Sequence, residues 1–261
     1  MRVEVKVVGR IKVSRDNRVV LEGANLVGED YSGRDLMQFC TIGCRLERCR
    51  FNRARIRDTQ FGSGRAMSEF IECSFDGATM IHGGSLTRFV RCSFRDVDLR
   101  DWMCHAVEMV DCVFTGRMTR CIFNGTVPVE QRPFVGRERN EFHGNDFSGV
   151  DLVDVAFRSG IDLTQQRLPT GPEYLYLPDA AEVVRKARAE AATWSESDLR
   201  QRALRLLKMW EEVELRGGQR QLFLRSGDYY PIPPREAVDK LFALLRTYMA
   251  GAETKAPPEE S

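Results

Sequence analysis

A large apolar residue recurs every five positions near the start of the chain: Leu21, Leu26, Tyr31 and Leu36, then Leu46, Phe51, Ile56 and Phe61. The residue two before it is often small, as at Ala24, Cys44, Cys49, Ala54 and Thr59, and the positions between are mostly polar or charged. Neither the 3.6-residue period of a helix nor the two-residue alternation of a simple strand produces this spacing. A longer unit sits above it. Phe70-Ile71-Glu72-Cys73-Ser74-Phe75, Phe89-Val90-Arg91-Cys92-Ser93-Phe94 and Met109-Val110-Asp111-Cys112-Val113-Phe114 repeat one pattern, and Cys49-Arg50-Phe51 and Cys121-Ile122-Phe123 belong to the same set. Four five-residue steps make one circuit of roughly 20 residues. The chain therefore winds in square coils stacked at the spacing of neighbouring strands, about 4.8 Å.

Individual pentads carry a family resemblance. Ala24-Asn25-Leu26-Val27-Gly28, Val97-Asp98-Leu99-Arg100-Asp101, Val150-Asp151-Leu152-Val153-Asp154 and Cys73-Ser74-Phe75-Asp76-Gly77 resemble the pentapeptide-repeat motif: a small residue, a polar one, Leu or Phe, then two variable positions. The resemblance covers roughly residues 21–163. It implies a mainly β fold: a right-handed parallel quadrilateral β-helix of about seven coils, with the Leu/Phe centres and the small residues stacked inward in columns. Arg34, Gly64, Gly83 and Trp102 depart from the small inward position. The five-residue phase also slips between Phe61 and Phe75, Met80 and Phe94, Phe114 and Phe123, and Phe123 and Phe142. Such slips mark corner deletions or outward loops. The stretch at about 125–139, with Pro128 and Pro133, is the largest.

Repeat stacks need caps. Residues 1–20 supply a β cap, with Val3, Val5 and Val7, then Ile11 and Val13, alternating with polar residues, and a turn at Asp16-Asn17. The repeat region runs over 21–165. A three-helix module follows over 172–250, and 251–261 read as a disordered tail. The first helix starts at Asp179, paired with Glu182 in a capping box, and carries Val183, Val184, Ala187 and Ala191. The second starts at Ser195, paired with Asp198, carries Leu199, Ala203, Leu206, Leu207, Trp210 and Val213, and ends at Gly217-Gly218. The third follows Pro233-Pro234 and carries Val238, Leu241, Phe242, Leu245, Tyr248 and Met249. Between the last two, Gln221–Leu224 and Tyr229-Tyr230 suit a small hairpin.

The eight cysteines show no C-x-x-C spacing, and most fall at the small inward position, so they read as reduced core residues. Neither a metal nor a cofactor is implied. His82, His105 and His143 lie on different repeats without metal spacing, and no hydrolase, nucleotide or dinucleotide fingerprint is present. This argues against an enzyme. The N-terminus lacks the apolar stretch of a signal peptide and no apolar run suits a membrane span, so a cytoplasmic location is expected.

The formal net charge is +1, balanced in both halves. One local excess stands out: Arg45, Arg48, Arg50, Arg53, Arg55 and Arg57 all fall at outward positions and form a candidate basic belt. In the helical module Trp210, Tyr229, Tyr230, Phe242 and Tyr248 are candidates for a partner or homodimer interface. The expected function is a non-enzymatic, cytoplasmic protein-interaction scaffold. The alternative that the resemblance implies is a bacterial protein that mimics DNA and protects gyrase or topoisomerase IV. Mimicry calls for an acidic surface, and the near-neutral repeats count against it. Nucleic-acid binding through the belt is a third reading.

Overall fold

The computed structural model describes residues 9–83 and 86–253. The chain divides into two compact units, Met1–Thr170 and Gly171–Ser261.

The first unit is a parallel β-solenoid with four faces. The first face stacks Arg18–Glu22, Gln38–Ile42 and Thr59–Gln60. The second stacks Asn25–Val27, Arg45–Glu47, Ser68–Ile71, Leu86–Val90, Ala106–Val110 and Phe142–His143. The third is held by single parallel bridges, Asp30 to Arg50 to Ser74 to Ser93. The fourth begins with Asp35–Leu36, Arg55–Ile56 and Thr79–Ile81. About five turns close without interruption, fewer than the seven expected. The next turn is opened by an insertion, and beyond Phe157 only isolated contacts such as the Asp146–Arg167 bridge continue the stack.

The five-residue centres point inward: Leu21, Leu26, Leu46, Phe51, Ile56 and Phe61 are all 0–1% exposed. On the third face the centres are aromatic and directly superposed. Successive ring centroids from Tyr31 through Phe51, Phe75, Phe94 and Phe114 to Phe147 are 4.7–5.0 Å apart, with interplanar angles of 10° or less. Stacked rings at the rung spacing add about 0.5–1.5 kcal/mol per pair beyond burial. Two residues before each ring from Phe51 onward lies the column Cys49, Cys73, Cys92 and Cys112, closed by Asn145. Asn145 is fully buried; it accepts from the Cys112 amide at 3.1 Å and donates to the Met109 carbonyl at 2.8 Å. All eight cysteines are buried and unpaired. Burial pushes the thiols of Cys92, Cys104 and Cys121 up, the last to about 12. Cys40 and Cys104, off the small position in sequence, are buried as well.

Corners turn through left-handed backbone. Arg48, Glu72, Arg91 and Asp111 occupy the same corner on successive turns with φ of 50–54°. The phase slips have distinct causes. Between Phe61 and Phe75 the chain bulges out after Gly62, where a Cβ would lie 1.9 Å from the Leu86 carbonyl oxygen. Between Phe114 and Met118 one corner residue is missing, and Gly116 makes the tighter turn at φ 96°. The Trp102 departure is a size exchange. Cys104 takes the large position, paired in register with Phe123, while Trp102 fills the small one. Gly83 makes room for it, since a Cβ there would sit 2.6 Å from the indole. Arg34 points out instead, with its guanidinium 5.1 Å from the Tyr31 ring centroid.

At the N-terminal end Arg10–Val13 pairs antiparallel with Arg18–Glu22, so the expected hairpin forms around Asn17. Its Ile11 and Val13 are exposed. Val3, Val5 and Val7 lie outside the described residues.

The second unit contains α2 (Ala180–Ala191), α3 (Ser197–Met209) and α4 (Arg235–Glu253), α1 being the short Arg132–Val135 helix of the first unit. Val184 and Ala187 of α2, Leu206 and Leu207 of α3, and Leu241 and Leu245 of α4 share one core. Several local expectations need correction. Asp179 makes no side-chain cap, because Glu182 is drawn to Arg185 and Lys186. The second helix starts at Ser197 rather than Ser195, whose hydroxyl bonds Glu196. Leu222–Arg225 does not pair with Tyr229-Tyr230; it pairs antiparallel with Tyr174–Leu177, and Ser226–Tyr229 is a 3-10 turn. Val213 is 46% exposed because Trp210–Leu215 is π-helical, which rotates it off the buried stripe. The segment read as a tail is helical as far as Glu253; residues 254–261 lie outside the described residues.

Phe94 has a ring on each side of it in the stack. Phe94→Ala is expected to lower solenoid stability by about 3–5 kcal/mol, measured by urea denaturation; a loss below about 1 kcal/mol would contradict a stack that bears on stability.

Candidate interaction surfaces

Parallel register places residues of successive turns directly above one another, so outward side chains form vertical rows. On the second face the row before the buried centre reads Arg45, Glu69, Arg88, Glu108, Glu141. Arg45 meets Glu69 at 2.7 Å and Arg88 meets Glu108 at 2.7 Å. At the adjoining corner the row is Arg48, Glu72, Arg91, with Arg91 on Glu72 at 3.0 Å and Arg48 on Glu47. Arg50 lies 3.0 Å from Asp30, and Arg57 lies 3.2 Å from Asp35. All six arginines of the expected belt are exposed. Four of them are thus joined to carboxylates on the same or a neighbouring turn. Arg53 and Arg55 alone of the six make no ion pair among the described residues. The belt shrinks to that pair because strand register, invisible in a linear run of arginines, brings acids from 20 residues away.

The same ladders depress carboxyl pKa values. A hydrogen bond from Ser32, with Arg50 behind it, holds Asp30 at about 2. Arg120 lowers Asp101, Ser148 lowers Asp146, and His143 with Arg88 lowers Glu141.

The insertion after Asn124 is a built feature rather than a free loop. Val127 packs on Leu86 and Ala106 of the second face. Arg137, from the end of the insertion, reaches the same face and holds the Ala106 carbonyl at 3.2 Å and Asn140 at 3.2 Å. Its Nε lies 2.9 Å from Glu108, although off the hydrogen-bonding line. Glu108 is 5% exposed and joins Arg88, Arg137 and the Glu141 amide, so one buried carboxylate ties two turns to the insertion. Above this base Val129 and Phe134 are exposed, at 70% and 37%. Sequence reading located the insertion but missed Glu108, because it falls at an outward position of the repeat and the insertion that covers it comes about 20 residues later in the chain.

In the second unit Trp210 and Phe242 are core residues, each 1% exposed, and are therefore not presented to a partner. The Trp210 indole N–H donates to the Tyr229 hydroxyl at 3.0 Å. Tyr230 donates to Asp239 and Tyr248 to Glu190, both half-buried at the core margin. For Trp210 and Phe242 the aromatic signal was a packing signal. The histidines are dispersed: His82 lies 3.7 Å from Asp58, His105 beside Asn124 and His143 beside Glu141. No group of three metal-ligating side chains comes together among the described residues, and no helix there is long and apolar enough to cross a membrane.

Five-residue steps, four faces and inward small and Leu/Phe columns define the first unit as a four-sided parallel β-solenoid, and the second unit is a helical module. It is similar to a solved structure of trypsin-treated QnrB1, a plasmid-mediated fluoroquinolone resistance protein, with 16% identity over 61% of this chain and 85% of that one and a TM-score of 0.26. No family model matches the chain. No curated protein matches it.

Two outcomes follow from the charge rows. Glu108→Gln is expected to free the insertion, so that limited trypsinolysis cuts at Arg137 or Arg139 much faster than in the parent; unchanged cleavage would show that Glu108 does not hold it. Asp30, Asp101, Asp146 and Glu141 have folded values below their unfolded ones. The unfolded chain therefore binds more protons in acid, and their contribution, complete above about pH 5, is lost as pH falls through about 4 towards 2. The urea midpoint should fall across that window; a midpoint that rises would contradict the pairing.

Proposed function

We propose that the chain is a non-enzymatic protein-interaction scaffold acting in the cytoplasm. The observation that carries this reading is the insertion. A buried carboxylate and a packed valine hold a loop on a rigid face and leave two apolar side chains exposed above a surface of paired charges. Ordered platforms with exposed apolar groups suit recognition, because little freedom is lost on binding. The remaining cations Arg53 and Arg55 give a second, smaller contact point on another face.

Binding to a topoisomerase as a DNA mimic draws less support. Mimicry needs uncompensated carboxylates in rows, whereas the rows found here alternate in sign. Nucleic-acid binding is weakened by the same pairing, since phosphate affinity grows with the number of free cations.

The test is affinity capture with the full-length protein beside a Val129→Ser/Phe134→Ser variant, with quantitative mass spectrometry. A saturable protein partner should be retained by the parent and reduced at least about tenfold by the variant. A supercoiling assay run alongside should show gyrase neither inhibited nor protected. Capture of no protein above background by the parent would overturn the scaffold reading.

A further inference from the structure

Asn124 is the only asparagine of the chain that is followed by glycine. Such a pair carries chemistry of its own. The glycine nitrogen, with no side chain beside it, can attack the asparagine side-chain carbonyl and close a five-membered imide. Packing demands the glycine for a separate reason: a Cβ on Gly125 would lie 2.6 Å from the Ser159 carbonyl oxygen and 2.8 Å from the Ile161 nitrogen. The pair is thereby fixed at the point where the strand Val113–Asn124 passes into the insertion.

The groups around Asn124 suit that reaction. Its Nδ2 lies 3.2 Å from His105 Nδ1 and donates to the Cys104 carbonyl at 3.4 Å. The Ser159 hydroxyl donates to its Oδ1 at 3.4 Å. An imidazole thus stands at the nitrogen that must leave as ammonia, and a hydroxyl at the oxygen that gains charge when the carbonyl is attacked. His105 is exposed, so water can restore its proton. The nucleophile is gated: the Gly125 N–H donates to the Arg158 carbonyl at 2.8 Å. Arg158 is the last residue of the strand Asp146–Arg158, and strand ends open at low free energy. The ladder bond therefore slows attack without abolishing it.

We propose that Asn124 is a modification site, converted in the folded protein to aspartate and isoaspartate with the help of His105 and Ser159. The Gly125 nitrogen bonds to Asn124 Cγ and gives its proton to water. The Cγ–Nδ2 bond breaks, and the nitrogen leaves as ammonia with a proton from the His105 imidazolium. Water then adds to one or the other carbonyl of the imide, leaving an aspartyl or an isoaspartyl residue. In the isoaspartyl product Cβ joins the main chain, and the former main-chain carbonyl becomes a carboxylate to one side. That carbonyl accepts from Asn140 Nδ2 at 2.7 Å, and the Asn140 N–H donates to the Gly125 carbonyl at 2.9 Å. Asn140 lies where the insertion returns to the second face, so the conversion loosens the insertion at its root. None of this depends on what the protein binds.

Ageing the full-length protein at neutral pH tests it, with peptide mapping by mass spectrometry and enzymatic methylation to detect isoaspartate. Position 124 should convert in the native protein before Asn17, Asn25, Asn52, Asn140 or Asn145 does. His105→Ala should slow native conversion at least about tenfold and leave the rate in urea-unfolded chains unchanged. The sign is diagnostic, because loss of a merely structural contact would free Asn124 and speed its conversion. Ser159→Ala should also slow it, and supplies the same comparison if His105→Ala misfolds. Asn124 that stays intact in the native protein after the urea-unfolded chain has converted would overturn the proposal. So would equal or faster conversion in both variants. The converted protein, separated by ion exchange, should be cut by trypsin at Arg137 or Arg139 faster than fresh protein; equal cutting would overturn the link to the insertion.

Discussion

The solenoid depends on one geometric coincidence: aromatic rings stack face to face at the distance that separates hydrogen-bonded strands. Six rings from Tyr31 to Phe147 keep that spacing through the third face. From Ser93 onward this face belongs to the regular ladder of Ser93–Arg100, Val113–Asn124 and Asp146–Arg158, but the earlier turns have only isolated bridges. The rings supply there what longer ladders supply on the second and fourth faces. Small cysteines two residues earlier leave the rings room, and Asn145 closes their column by bonding the backbone where a thiol could not.

Once rungs are in register, the outside is determined as well. A side chain at an outward position finds its partner one turn away, about 20 residues along the sequence. Alternating rows follow on the second face and its corner, where Arg45, Glu69, Arg88 and Glu108 succeed one another. Under the scaffold proposal, recognition falls to the exceptions to this pattern. Two exceptions stand out: the pinned insertion and the Arg53/Arg55 pair.

The repeat was legible because inward positions obey a period that few other folds share. Leu21 to Phe61 and the Cys-x-Phe units gave both the faces and the circuit length. What sequence could not show was long-range pairing. It showed six arginines and not the acids above and below them. It showed aromatic residues in the helices and not that Trp210 and Phe242 pack against one another. The strand Tyr174–Leu177 was missed because its partner is 48 residues away and each strand is only four residues long. Trp102 looked like a defect in the small column, and it is an exchange with Cys104 that Gly83 permits. Capping boxes at Asp179 and Ser195 failed because nearby ion pairs and hydroxyl bonds took the side chains first.

The central claim is that stacked rungs make the solenoid one cooperative body whose surface rows are fixed in place. Native-state hydrogen exchange tests it most directly. The amides of Ser74, Ser93 and Val113 donate to the carbonyls of Cys49, Cys73 and Cys92, each one turn below. They should exchange only with global unfolding of the unit, and their opening free energies should converge on one value and fall together with added denaturant. Separate, denaturant-independent opening of these three amides would contradict the account.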